Sequence, residues 1–175
     1  MKPFLWGLLN TLQWLLIVLW TVLWTSVALF IVLLTRRPGI GLAMARRIWA
    51  PGVAIVAGAQ LSVVGAERID PRRPWFFACN HQSFGDIPVL FWALPADLCF
   101  VAKRELRMVP FLGWYMQAMG MIFVDRRRRR SGVASLDAAA DLLRSGRSVL
   151  SFPAGTRRSC DGPQGFKPAA LAPAL

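Results

Sequence analysis

From Pro3 to Thr35 the chain carries no charged side chain. A single membrane-spanning helix needs roughly 20 apolar residues, and the run from Phe4 to Leu34 is longer than that. Two folds satisfy it: one long tilted helix, or a hairpin of two shorter helices dipping into one leaflet. The weakly polar Gly7, Asn10 and Gln13, or Thr25 and Ser26, are the places for a turn in the second case. A cleaved signal peptide has an apolar core of only about 7 to 15 residues, so the segment reads as retained. Its Trp6, Trp14, Trp20 and Trp24 suit the lipid interface or packing against lipid. The run accounts for much of a 55% hydrophobic content and a mean hydropathy of +0.45, too apolar for an ordinary soluble chain of 175 residues.

Charge gives the segment a side. Lys2 stands alone before the run, whereas Arg36, Arg37, Arg46 and Arg47 follow it, so the positive-inside rule puts the rest of the chain in the cytoplasm, at the inner membrane if the source is bacterial. The net charge of +12 suits nucleic acid, anionic headgroups or phosphorylated substrates. Beside a membrane segment it is read as lipid-directed: Arg127 to Arg130 are expected to attract anionic lipids, and no nucleic-acid partner is expected. Cys79, Cys99 and Cys160 are odd in number and lack C-x-x-C spacing, and His81 is the only histidine. Neither a disulfide framework nor a metal site is expected.

Three segments follow: 1–36 embedded in the membrane, 37–60 as an interfacial connector, and 61–175 as the α/β part. Gly39 to Gln60 mixes apolar residues with Arg46 and Arg47, which predicts a helix on the membrane surface, broken at Pro51-Gly52. Beyond it, short apolar runs predict five strands: Leu61 to Val64, Trp75 to Cys79, Leu98 to Ala102, Met121 to Val124 and Ser148 to Phe152. Helices are predicted around Ile87 to Leu94, Phe111 to Met119 and Val133 to Arg144. Alternating strands and helices imply a largely parallel sheet with helices packed on it.

Ligands of open α/β sheets bind outside the carboxyl ends of the strands. Asn80 and His81 follow the second predicted strand, Lys103 the third, Asp125 and Arg126 the fourth, and Gly155, Thr156 and Arg157 the fifth. Parallel strands would bring all of them to one edge. Asp86 lies five residues after His81, which on a regular helix puts the two on different faces, so a turn must join them if they pair. So paired, the carboxylate fixes the imidazole tautomer and the other ring nitrogen can take a proton from an alcohol. Ser83 lies between them with no oxyanion-hole signature, and a turn role suits it better than a nucleophile's.

Asn80-His81 through Asp86 resembles the N-H-x-x-x-x-D motif of the glycerolipid acyltransferases, the family of 1-acylglycerol-3-phosphate acyltransferase. Gly120 to Arg126 resembles its G-x-x-F-[IV]-D-R motif, and Phe152 to Arg157 its F-P-E-G-T-R motif. Lys103-Arg104-Glu105-Leu106 is similar to a K-x-E-L segment between them. The resemblance runs from about Val64 to Lys167. It implies direct acyl transfer, with acyl-CoA or acyl-carrier protein as donor, no cofactor, and a lysophospholipid as acceptor. His81 would be the general base and Asp86 its orienting partner; Arg126 with Gly155, Thr156 and Arg157 would hold the acceptor phosphate. A guanidinium pairs with phosphate through two hydrogen bonds.

Two departures are visible. Ala154 stands where the family has glutamate, and a later proline-containing strand motif is absent before Leu175, so an incomplete sheet is expected. Ala154 favours another lysolipid, such as lyso-ornithine lipid, as an alternative acceptor, and the short C-terminus favours an inactive lipid-binding remnant.

Overall fold

The computed structural model of the chain describes residues 3–125 and 129–153. The apolar run is one continuous helix, α1 (Pro3–Thr35). At about 1.5 Å per residue it is roughly 50 Å long. Its hydroxyls call for no turn because they are satisfied within the helix: those of Thr11, Thr21, Thr25, Ser26 and Thr35 donate to the carbonyls of Gly7, Ile17, Thr21, Val22 and Ile31 at 2.7–2.8 Å. By length and composition α1 can cross a membrane.

The reversal comes at Arg36-Arg37, with Arg36 at φ 55°, and Pro38 opens the next helix, where its missing N–H costs nothing. That helix is composite: α2 (Pro38–Met44), a π-turn (Ala45–Trp49) and α3 (Ala50–Val56) run on without interruption. The break expected at Pro51-Gly52 is absent. A proline inside a regular helix clashes with the carbonyl four residues back, and the wider π-turn just before Pro51 relieves that clash.

The composite helix lies antiparallel to α1, forming a hairpin larger than one confined to the apolar run. Trp20 Nε1 donates to the Trp49 carbonyl at 3.1 Å, Trp49 Nε1 to Thr21 Oγ1 at 3.0 Å, and Gln13 Nε2 to the Val56 carbonyl at 3.2 Å. Gly52 permits this approach, since a Cβ there would lie 2.4 Å from the Trp20 ring. Trp20 is therefore a hairpin contact rather than an interfacial residue, whereas Trp6 and Trp14 remain exposed.

Four strands follow among the described residues: β1 (Phe76–Ala78), β2 (Leu98–Lys103), β3 (Ile122–Val124) and β4 (Ser148–Ser151). The first of the five predicted strands, Leu61 to Val64, is not one: it has no pairing partner among the described residues, Val64 is 94% open to solvent, and Gly65 at φ 90° ends it in a turn. Apolar β-branched residues alone do not make a strand without a neighbour to pair with. The sheet is parallel throughout, in the order β1-β4-β2-β3, with registers Phe76↔Val149, Phe100↔Leu150 and Val101↔Ile122.

Right-handed crossovers dictate where the helices go. The β1→β2 connection through α4 (Asp86–Ala93) and β2→β3 through α5 (Leu112–Ala118) move one way across the sheet, and β3→β4 through α6 (Arg129–Arg144) moves back. Accordingly α4, α5 and the hairpin cover one face, burying Leu42, Phe91, Leu98, Phe100, Met119 and Leu150 together. On the other face α6 buries Ala139 against Ile122 and Val149. Tyr115 on α5 ties the layers by donating to the Gly41 carbonyl at 3.0 Å.

Candidate active site

With all strands parallel, the segments after β1, β2, β3 and β4 share the carboxyl edge of the sheet. Cys79 extends the pairing, its N–H donating to the Ser151 carbonyl at 3.1 Å, and the chain then leaves the sheet at Asn80. The next six residues form a turn built around one oxygen. Asp86 Oδ2 accepts the Gln82 N–H at 2.7 Å, the Ser83 N–H at 3.0 Å and a bond with His81 Nδ1 at 2.8 Å. Ser83 Oγ accepts from the Gly85 N–H at 3.1 Å, so that hydroxyl is engaged in the turn.

This geometry sets the protonation states. Partial burial alone would raise the Asp86 carboxyl, but the bonds from the Ser83 and Gln82 amides and from His81 outweigh it and hold the carboxyl below its ordinary range. An ionised carboxylate only accepts, so Nδ1 of neutral His81 carries the ring proton and Nε2 keeps a lone pair. Cys79, two residues upstream, goes the other way: burial, then the Asp86 charge, raises its thiol, which stays protonated at neutral pH.

Sequence reading missed one member of this cluster. The Phe152 ring, buried just beyond β4, stacks on the imidazole with centroids 4.2 Å apart and planes at 22°. His81 is thus fixed in its plane by Asp86 and across its face by Phe152. The signal was present in the third motif, whose first residue is Phe152, but only the adjacency of β1 and β4 gives that residue its part.

The remaining expected residues are spread along the edge. Asn80 is exposed beside His81. Lys103 ends β2 and pairs with Glu105 at 3.2 Å, and Asp125, just after β3, lies 3.6 Å from Arg104. At about 4.8 Å per strand, Lys103 stands roughly 10 Å and Asp125 roughly 14 Å along the sheet from the His81 strand. Arg126, Ala154, Gly155, Thr156 and Arg157 lie outside the described residues.

A histidine held by an aspartate at the carboxyl edge of a parallel sheet coincides with a family match: a family model described as Acyltransferase covers residues 60–174. The chain belongs to the acyltransferase family. Over 104 residues it is 35% identical to 1-acyl-sn-glycerol-3-phosphate acyltransferase of Saccharomyces cerevisiae, covering 59% of this chain and 34% of that protein. Over 107 residues it is 36% identical to lyso-ornithine lipid O-acyltransferase of Pseudomonas aeruginosa, covering 60% and 40%. Among solved structures, the 1-acyl-sn-glycerophosphate (LPA) acyltransferase PlsC of Thermotoga maritima superposes with a TM-score of 0.80 at 27% identity, over 95% of this chain and 68% of that one. The chain spans about a third of the length of the yeast relative. The acyltransferase fold, with its long apolar first helix and parallel sheet, is therefore shared over nearly the whole chain.

Proposed function

We propose that this acyltransferase moves a fatty acyl group from acyl-CoA or acyl-carrier protein to the free hydroxyl of lysophosphatidic acid, giving phosphatidic acid in phospholipid synthesis. The observation that carries the reading is the His81 ring locked between Asp86 and Phe152. Nε2 takes the hydroxyl proton as the acceptor oxygen attacks the thioester carbonyl; the C–S bond then breaks and the thiolate takes the proton from the imidazolium. No group beyond donor and acceptor is called for. Arg126 and the Gly155-Thr156-Arg157 segment match family motifs for the acceptor phosphate, while Asn80, Lys103 and Asp125 line the same edge. The exposed apolar surface of α1 and the arginines after it support a membrane-bound enzyme with its α/β part on the cytoplasmic side.

The test is acyl transfer to a panel of lysolipids with each donor. Turnover of lysophosphatidic acid is expected, with His81→Ala lowering it roughly 10²- to 10⁴-fold and a circular-dichroism spectrum like the parent's. Unchanged turnover in that variant would remove the mechanism. A second acceptor is favoured by Ala154, which replaces the motif's glutamate, and by the lyso-ornithine relative. Under the leading reading Ala154→Glu raises lysophosphatidic acid turnover; a fall, with good turnover of lyso-ornithine lipid by the parent, selects the second.

A further inference from the structure

Five large apolar side chains of the α/β part are exposed within nine residues: Leu106, Met108, Val109, Phe111 and Trp114, with Met108 84% and Trp114 51% open. They occupy the short helical turn Arg104–Met108 and the entry to α5, directly after β2, on the same edge as His81. A patch of this kind on a soluble surface marks an interaction site.

The segment is built to hold these groups outward. Pro110-Phe111-Leu112 is a γ-turn, with the Leu112 N–H donating to the Pro110 carbonyl at 2.6 Å and Phe111 at φ 59°, ψ −59°. This form of the turn is rare and strained, above all for a bulky residue. The strain is held from both sides. Gly113 N–H donates to the Val109 carbonyl at 2.7 Å, and a Cβ on Gly113 would lie 2.4 Å from the Arg107 carbonyl oxygen. Arg107 Nε donates to Gln117 Oε1 at 2.7 Å, and Gln117 Nε2 to the Gly113 carbonyl at 3.1 Å. Phe111 and Trp114, with ring centroids 5.3 Å apart, are thereby presented as a rigid pair.

What covers the patch follows from its surroundings. Lys103 and Arg104, paired with Glu105 and Asp125, and Arg107 flank it, a charged rim with a net excess of one cation around an aromatic centre. On its other side α5 packs against α1, whose Phe30, Leu33 and Leu34 are exposed. Aromatic residues with basic neighbours, continuous with a lipid-facing helix, fit the headgroup and upper acyl zone of an anionic bilayer. We propose that residues 104–114 form a second membrane contact, a wedge that seats the catalytic edge on the lipid surface. The proposal rests on the membrane-bound reading above.

The test uses the full chain in phosphatidylglycerol-containing vesicles, with an environment-sensitive fluorophore on single cysteines, Cys79 and Cys160 being replaced by alanine and the buried Cys99 retained. Met108→Cys samples the wedge, Leu15→Cys samples α1, and Arg144→Cys, exposed on α6, is the aqueous control. The Met108 and Leu15 probes are expected to shift to the blue and to be quenched by lipid-borne nitroxide, the Arg144 probe to do neither. A lipid-quenched Leu15 probe with Met108 behaving like Arg144 overturns the wedge and leaves the membrane reading standing. Failure of both probes overturns the membrane reading itself. A Met108 probe that shifts without nitroxide quenching shows a protein cover, a second copy or another part of the chain, and also overturns the wedge.

Discussion

At the residue scale, the site is a histidine whose ring has been left one degree of chemical freedom. Asp86 takes up Nδ1 and Phe152 takes up one ring face, so Nε2 is the ring nitrogen left open for the proposed proton transfer. Asp86→Asn tests the first constraint: an amide can donate to Nδ1 and so select the wrong tautomer, and kcat is expected to fall by ~10²- to 10⁴-fold with little change in KM. The same substitution has a pH signature in stability. Because the Asp86 carboxyl is held below its unfolded value, its contribution is present above about pH 4 and is lost as pH falls through the folded value. The Tm difference between parent and Asp86→Asn is therefore expected to be largest near neutrality and to shrink in acid, as thermal melts across pH would record. Phe152→Leu keeps the position apolar but removes the stacked ring. A contact of this kind is worth about 0.5–1.5 kcal/mol, so kcat should drop about 2- to 10-fold.

At the element scale, the hairpin depends on one close approach, Gly52 against Trp20. Gly52→Ala is expected to destabilise the protein by ~1–3 kcal/mol through overpacking. Adding Trp20→Leu should recover part of that loss by making room, and thermal unfolding in detergent measures both. That hairpin was only half legible in sequence. Hydropathy is flat from Phe4 to Leu34 and cannot say that the reversal waits until Arg36, nor that a π-turn carries the second helix through Pro51. His81 and Asp86 were legible because their pairing is local, completed within six residues of chain. Phe152 was not, because its contact with His81 depends on β1 and β4 being neighbours, which no local pattern encodes. Leu61 to Val64 misled for a related reason: composition signals a strand, but only pairing with a neighbour makes one, and no described strand pairs with this segment.

At the scale of the whole molecule, a long apolar hairpin is packed beside the sheet face that α4 and α5 cover. Membrane attachment is then expected to survive salt. At 1 M the Debye length is ~3 Å, which screens the arginines, whereas burial of α1 is not screened. Release of intact protein by a high-salt wash, read by sedimentation, would contradict this. The strand order has a temporal side as well. β4 is the last of the described strands, yet it sits between β1 and β2, so during synthesis the first strand waits without its neighbour until residue 151 has left the ribosome. Its closure joins residues more than 70 positions apart, the kind of non-local pairing that folds slowly. Phe152 arrives with that same strand, so the face of His81 is covered only when the sheet closes. On the proposed reading the nascent chain, with α1 already emerged, meets the bilayer while its chemistry is still unfinished, and the ring proposed as its base is fixed only when β4 closes the described sheet.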